Sequence, residues 1–244
     1  MNKDLIKEVK KKKEFFLLPN SIIERSLELS KGDVKESRAF LRKYFGVFLT
    51  NRVLRGTDEK ILEFHLSSKE RDYKEFYKKI FEDIKNVGSI IDLGCGVNGF
   101  SYNILREFVG EVDYLGVEAS GTLVDKLNFY FKKGKIKGKI VNGDLFDLDN
   151  VISLIKSSKN PRIVFLFQVI DALENLKRNF SKRFLLKISK TVDKVIISLP
   201  TKSIGGKTKF FVQRKWLLDF LKENLFIEKD FNIGNERILI IRKK

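Results

Sequence analysis

The ten residues Ile90-Ile91-Asp92-Leu93-Gly94-Cys95-Gly96-Val97-Asn98-Gly99 constrain the fold more than any other stretch of the chain. An apolar run of strand length ends on an acid-bearing segment, passes through a glycine-rich turn and enters a helical pattern. That is the arrangement found at the edge of a nucleotide pocket in a doubly wound sheet. The flanking texture agrees with it. Downstream of an expected helix at Lys69–Lys85, short apolar runs alternate with helical segments, which predicts a parallel sheet with crossover helices. Strands are expected at Ser89–Leu93, Asp113–Glu118, Ile136–Asn142, Arg162–Gln168 and Lys194–Leu199. A helix at Val212–Glu223 then precedes two strands, Leu225–Phe231 and Arg237–Ile241, joined as an antiparallel hairpin through Gly234-Asn235.

Residues 1–66 have a different texture. Apolar residues recur three and four apart, as in Leu5, Ile6, Val9 and Ile22, Ile23, Leu27, with no alternating run, so this part reads as a bundle of four short helices. Breaks fall at Pro19-Asn20-Ser21, where Asn20 or Ser21 can cap the next helix, and at Gly56-Thr57-Asp58, where Thr57 or Asp58 can. Two units are therefore expected: a basic helical extension over 1–66 and an α/β unit over 67–244.

The 49 Lys and Arg exceed the 32 Asp and Glu by 17, which sets a strongly positive potential around the protein and points to a polyanion. The candidate phosphate contacts are Lys10, Lys11, Lys12, Lys13, Arg42, Lys43, Arg52 and Arg55 in the extension and Lys202, Lys207 and Lys209 in a loop after the fifth strand. A solvated helical surface is the plain alternative for such residues. One Cys and one His cannot build a zinc site or an internal disulfide, and no run reaches the roughly 18 apolar residues of a membrane helix. A cytoplasmic, metal-free, monomeric protein with no membrane partner is the expectation.

Gly94, Gly96 and Gly99 spell the dinucleotide pattern G-x-G-x-x-G, but Asp92 argues against a pyrophosphate. A carboxylate there repels phosphate and accepts hydrogen bonds from a cationic amino-acid ligand such as S-adenosylmethionine. Glu118, at the end of the second strand, can accept both ribose hydroxyl protons. Asp144, after the third, can accept from the adenine exocyclic amine, with Leu145 against the ring. Three acids at three successive strand ends, together with the terminal hairpin, resemble class I S-adenosylmethionine-dependent methyltransferases. The expected architecture is thus a Rossmann-like, mostly parallel seven-stranded sheet ending in an antiparallel hairpin, with the helical bundle in front. A nicotinamide-dependent oxidoreductase leaves Asp92 and Asp144 without a role.

Four further segments narrow the resemblance: His65-Leu66-Ser67-Ser68-Lys69-Glu70-Arg71, Asp92 to Asn98, Ile163 to Glu174, and Ser198-Leu199-Pro200-Thr201-Lys202-Ser203-Ile204-Gly205-Gly206-Lys207. In order and spacing, over roughly residues 60 to 244, they resemble the aminoglycoside-resistance 16S rRNA guanine-N7 methyltransferases of the Arm/Rmt type, as does Gly234-Asn235-Glu236 in the hairpin. The resemblance implies a cofactor pocket formed by His65, Arg71, Gly94, Cys95, Gly96, Glu118, Ala119, Asp144, Leu145 and Gln168 together with Asp92. His65 and Arg71 would lie near the methionine carboxylate, the plainer alternative being His65 as a packed core imidazole and Arg71 as an exposed helix residue. It also implies 16S rRNA in the 30S subunit as substrate, modified in the decoding region, and aminoglycoside resistance as an outcome.

The chain departs from the family pattern at Gly99, where a Pro is usual, at Gln168 in place of Lys, and at Asp171 in place of Pro. These changes bear on the target base more than on the cofactor. They leave open another RNA base or site, or an RNA-binding protein that keeps the fold without catalysis. No Asn/Asp-Pro-Pro-aromatic motif is present, and Cys95 in the glycine turn is badly placed to attack a pyrimidine. Guanine N7 needs neither, since its lone pair is free. Gln168 would then orient cofactor or base through hydrogen bonds, and Phe210, Phe211 or Trp216 could stack on a flipped guanine, with core packing as the other reading of Trp216.

Overall fold

In the computed structural model, the sheet runs in the order β3-β2-β1-β4-β5-β7-β6, formed by β1 (Ser89–Leu93), β2 (Asp113–Glu118), β3 (Gly138–Asn142), β4 (Arg162–Phe167), β5 (Lys194–Pro200), β6 (Leu225–Ile233) and β7 (Glu236–Lys243). The structure describes residues 3–45, 50–56, 58–65, 69–201 and 214–244, without the side chains of residues 51 and 54. The first five strands pair in parallel, whereas β7 pairs antiparallel with both β5 and β6, so the seven-stranded sheet and its closing hairpin are as expected.

Strand composition explains the layering. Ile90, Ile163, Phe165, Ile196 and Ile238 point to one face, against α5 (Tyr73–Phe81), α6 (Tyr102–Val109) and α7 (Gly121–Lys133). Their neighbours Ile91, Leu93, Val164, Leu166, Val195, Ile197 and Leu239 point to the other, against α8 (Leu148–Lys156), α10 (Phe180–Ile188) and α11 (Lys215–Asn224). Burial on both faces is why these strands read as continuous apolar runs instead of alternating ones. Because β2 and β4 both flank β1, chain direction across the sheet reverses there, and a crevice opens at the carboxyl ends of the strands.

Several boundaries differ from the sequence expectation. The helix expected at Lys69–Lys85 spans only Tyr73–Phe81, because the Asp72 carboxylate accepts from the Lys74 and Glu75 backbone N–H groups and fixes the start there. β3 begins at Gly138 and β4 ends at Phe167, since Gln168 takes a left-handed φ of 60° that a strand cannot accommodate. The last helix begins at Lys215; residues 212 and 213 lie outside the described set.

Within the extension, the described residues form α1 (Lys3–Lys10), α2 (Asn20–Leu29), α3 (Val34–Tyr44) and the short α4 (Asn51–Arg55), with 3-10 turns at Lys13–Phe15 and Glu59–Glu63. Ile6, Val9, Phe15, Leu18, Ile22, Ile23, Leu27 and Leu41 make a third buried cluster that also takes in Ala119. Neither Asn20 nor Ser21 caps α2: Pro19 occupies the cap position without a side-chain hydrogen bond, and the Ser21 hydroxyl is turned elsewhere. Asp58 does cap the second 3-10 turn, accepting from Lys60 N–H, while Thr57 lies outside the described residues.

α9 (Ile170–Leu176) follows β4 and packs against α2. The extension therefore rests on the carboxyl-end side of the sheet, where the crevice is.

Candidate active site

The glycine turn leaves β1 with Gly94 at φ +73° and Gly96 at φ +51°, both in the left-handed region that a side chain disfavours. A Cβ at Gly94 would also come within 2.8 Å of Val169 Cγ2. The turn is tied to β2: Gly94 and Cys95 N–H donate to the Val117 carbonyl at 2.7 and 3.1 Å. Glu118 accepts from Gly96 N–H at 2.9 Å and Ser120 N–H at 2.7 Å. Burial pushes the Glu118 carboxyl up, and these backbone donors hold it back.

Around the turn lies a cavity of about 250 Å³. His65, Arg71, Gly94, Cys95, Gly96, Glu118, Ala119, Asp144, Leu145 and Gln168 all line it. So ten of the expected cofactor residues are brought together, and Asp92 is the one that is not on the wall. It lies behind the turn, only 1% exposed, with Oδ2 accepting from Asn98 Nδ2 at 2.8 Å and the Tyr114 hydroxyl at 2.5 Å. Its Oδ1 is buried without a hydrogen-bond partner among the described residues. Burial raises the Asp92 carboxyl to about 6 against the pull of Tyr114 and Asn98.

Arg71 is a cavity residue rather than an exposed helix residue. Nε and Nη2 form a bidentate pair with Glu236 at 2.7 and 2.8 Å, and the guanidinium carbon lies 4.4 Å from the Phe76 ring centre. Burial opposes the Arg71 charge, but the Glu236 carboxylate beside it outweighs burial and holds its pKa above the ordinary value. Conversely, Arg71 keeps Glu236 below the usual carboxylate range despite burial, with Ser198 and Gln168 also donating. What remains of the fork is Nη1, which faces Asn98 Oδ1 at 3.4 Å and the Tyr73 hydroxyl at 3.5 Å. His65 is buried, and its imidazole is lowered to about 3 by burial and then by Arg71, so it is neutral at physiological pH.

The cavity has a wall that sequence reasoning missed. Ile22, Lys43, Tyr44 and Phe45 from the extension line it, although the cofactor region was expected within the α/β unit with His65. Asp171, on α9, lines it too and is clamped by Arg214 through bonds of 2.9 and 2.5 Å, while Arg214 Nη1 donates to the Pro200 carbonyl. The pairing partners of Arg71 and Asp171 carry no local signal; only the presence of Glu236 in a motif-like turn hinted at a role.

Trp216 is not at the cavity. It packs on the second sheet face with Lys182 Nζ 5.8 Å from its ring centre, so the core reading holds. Phe210, Phe211, Lys202, Lys207 and Lys209 lie outside the described residues. Of the basic residues in the extension, Lys43 alone is on the cavity wall, with its side chain exposed. Lys11, Lys12, Lys13, Arg42, Arg52 and Arg55 are exposed, Lys10 is half-buried, Lys11 pairs with Glu8 and Arg42 with Glu14. No described helix is long and apolar enough to cross a membrane.

Known proteins share this architecture. The 16S rRNA methylase RmtB superposes with a TM-score of 0.78 at 19% identity, covering 100% of this chain and 99% of that one. RmtF, in complex with S-adenosyl-L-homocysteine, gives 0.79 at 17% identity over the whole of both chains. These likenesses establish the fold. In sequence, a 16S rRNA (guanine(1405)-N(7))-methyltransferase of Proteus mirabilis is 25% identical over 191 residues, 75% of this chain and 64% of that protein's length. One from Micromonospora rosea is 21% identical over 248 residues, covering 89% and 86%. The family model described as Ribosomal RNA methyltransferase (FmrO) matches residues 22–220, from within α2 to within α11, and the chain belongs to that family.

Proposed function

We propose that this protein uses S-adenosylmethionine to methylate guanine N7 of 16S rRNA, in the decoding region of the assembled 30S subunit, acting as a monomer in the cytoplasm. One observation carries the reading: in a member of an rRNA methyltransferase family, Glu118 and Asp144 border a single cavity at the topological switch point, with Asp92 buried behind its glycine turn. The donor set fits the cofactor. Glu118 offers acceptors to ribose hydroxyls, Asp144 to an exocyclic amine, and Arg71 Nη1 a donor to a carboxylate. Asp92, behind the glycine turn and off the cavity wall, can favour a cationic ligand through its charge alone, its Oδ1 being buried without a hydrogen-bond partner among the described residues. RmtF, of the same fold, holds the demethylated product of that cofactor.

The bound cofactor supplies an electrophilic methyl group on a sulfonium. The chain's part is to hold a nucleophile in line with it and exclude water. No base is required for N7, and the cavity suits that. Cys95 is pushed up by burial and stays a thiol, and His65, lowered to about 3 and packed beside Gly96, is a weak proton acceptor. Gln168, fixed in a left-handed conformation with its N–H on the Ser198 carbonyl, lines the cavity while its side chain hydrogen-bonds Glu236.

The test is transfer of a labelled methyl group to purified 30S particles and to naked 16S rRNA, followed by mass spectrometry of the digested product. 7-Methylguanosine formed on 30S particles is the expected result. Label on an adenine amine, a ribose or a pyrimidine carbon overturns the target assignment, and no incorporation alongside cofactor binding overturns catalysis.

A further inference from the structure

Asp144 is held from three sides, and two of its partners come from the extension. Ser21 Oγ donates to Oδ2 at 2.5 Å and Arg25 Nη2 lies 3.3 Å from the same oxygen, while Phe146 N–H donates to Oδ1 at 2.9 Å. Ser21 and Arg25 are four apart on α2, so both project from one helical face. The Arg25 guanidinium also stacks 4.4 Å over the Phe146 ring, which closes the same corner of the cavity. Asp144 itself is 9% exposed and lines the cavity.

A carboxylate has about four lone-pair directions. Three are taken by Ser21, Arg25 and the Phe146 amide, and those donors fix the plane of the group. One acceptor direction remains, on Oδ1, and because Asp144 lines the cavity a ligand there can fill it with a single donor such as the N–H of an exocyclic amine. A carboxylate turning freely on a strand end would present acceptors in every direction and select poorly.

We propose that Ser21 and Arg25 are positioning residues for cofactor recognition: from α2 of the extension they orient Asp144 so that its one open acceptor selects the 6-amino group of the cofactor's purine. The inference rests on the reading of Asp144 as the adenine acceptor and deepens it, assigning part of the cofactor's specificity to the helical extension. Arg25 does not itself line the cavity, so it acts through Asp144 and Phe146.

The test compares binding of S-adenosylhomocysteine with that of its analogue carrying hydrogen in place of the 6-amino group, by calorimetry on the full chain. The wild type is expected to prefer the amine by about tenfold, the equivalent of roughly 1.4 kcal/mol. In Arg25→Met and in Ser21→Ala that preference should shrink to threefold or less, and Arg25→Lys should restore part of it. If both variants lose affinity for the two ligands by the same factor, the contacts only brace the fold and the proposal falls. Asp144→Ala separates the two levels. A preference that survives it removes the adenine reading and this proposal together, whereas a preference lost in Asp144→Ala but intact in Arg25→Met and Ser21→Ala removes the proposal alone.

Discussion

Arg71 and Glu236, 165 positions apart, form a bidentate ion pair with both side chains under 10% exposed, joining the segment before α5 to the first residue of β7 at the edge of the cavity. Breaking such a pair from one side leaves an uncompensated buried charge, which costs about 3–5 kcal/mol, whereas removing both charges is far cheaper. Glu236→Gln should therefore destabilise the protein by several kcal/mol in urea titration and weaken cofactor binding. The double variant Arg71→Met/Glu236→Leu should be more stable than Glu236→Gln and still bind cofactor poorly.

Asp92 gives the unliganded protein a distinctive pH profile. Its folded-state value near 6 lies above the ordinary 3.8, so between those values the folded state holds a proton that the unfolded chain has released. Stability from this group is complete below about pH 4 and is lost as pH rises through 6, a difference of roughly 2–3 kcal/mol. Asp92→Asn should flatten that slope and be more stable than the wild type at pH 8. Affinity for a cofactor bearing an ammonium group should run the other way in the wild type, rising with pH to a plateau above 6, and calorimetry at pH 5 and 8 reads both trends.

Lys43 stands where the basic extension meets the cavity, exposed at the end of α3. Lys43→Glu is expected to raise the KM for 30S particles by about five- to tenfold at 100 mM salt while changing S-adenosylhomocysteine affinity less than twofold. Binding of the wild type to 30S should fall linearly with salt on logarithmic axes. A flat salt response would separate the positive charge from substrate binding.

Asp171 and Arg214 pin α9 to the start of α11 and the Pro200 carbonyl. Arg214→Ala should lower methyl transfer to 30S particles more than it lowers cofactor affinity, and cost about 1–3 kcal/mol of stability. Steady-state kinetics with each substrate varied in turn distinguishes the two effects.

N7 methylation places a positive charge on the guanine and removes its acceptor. Expression in a susceptible bacterium should raise tolerance to aminoglycosides whose ammonium groups dock at the decoding region. Drug susceptibility assays with an Asp144→Ala control measure the effect.

The strands were readable because burial on both sheet faces writes continuous apolar runs, and Glu118 and Asp144 were readable because such runs show where a strand ends. Asp92 was placed at the correct strand end, but its cover by Asn98 and Tyr114 behind the turn was not legible, since periodicity locates a residue along a strand without saying which neighbour will cover it. The Lys69 helix start failed because Asp72 offered a stronger cap than composition alone reveals. The Ser21–Asp144, Arg25–Asp144, Arg71–Glu236 and Asp171–Arg214 contacts were invisible for one shared reason: each joins segments brought together only by the finished fold. The left-handed backbone of Gln168 likewise comes from its tertiary setting, with its N–H on the Ser198 carbonyl of the neighbouring strand.

Gly121, the first residue of α7, donates its N–H toward the Leu17 carbonyl at 3.4 Å, and a Cβ there would come within 2.7 Å of Leu17 Cβ. A single added methyl group at that point would act as a wedge between the extension and the sheet's carboxyl edge. The extension is consequently not a freely exchangeable part. Any replacement set of helices grafted in front of the sheet would have to match this one bare contact as well as the surface around Ala119.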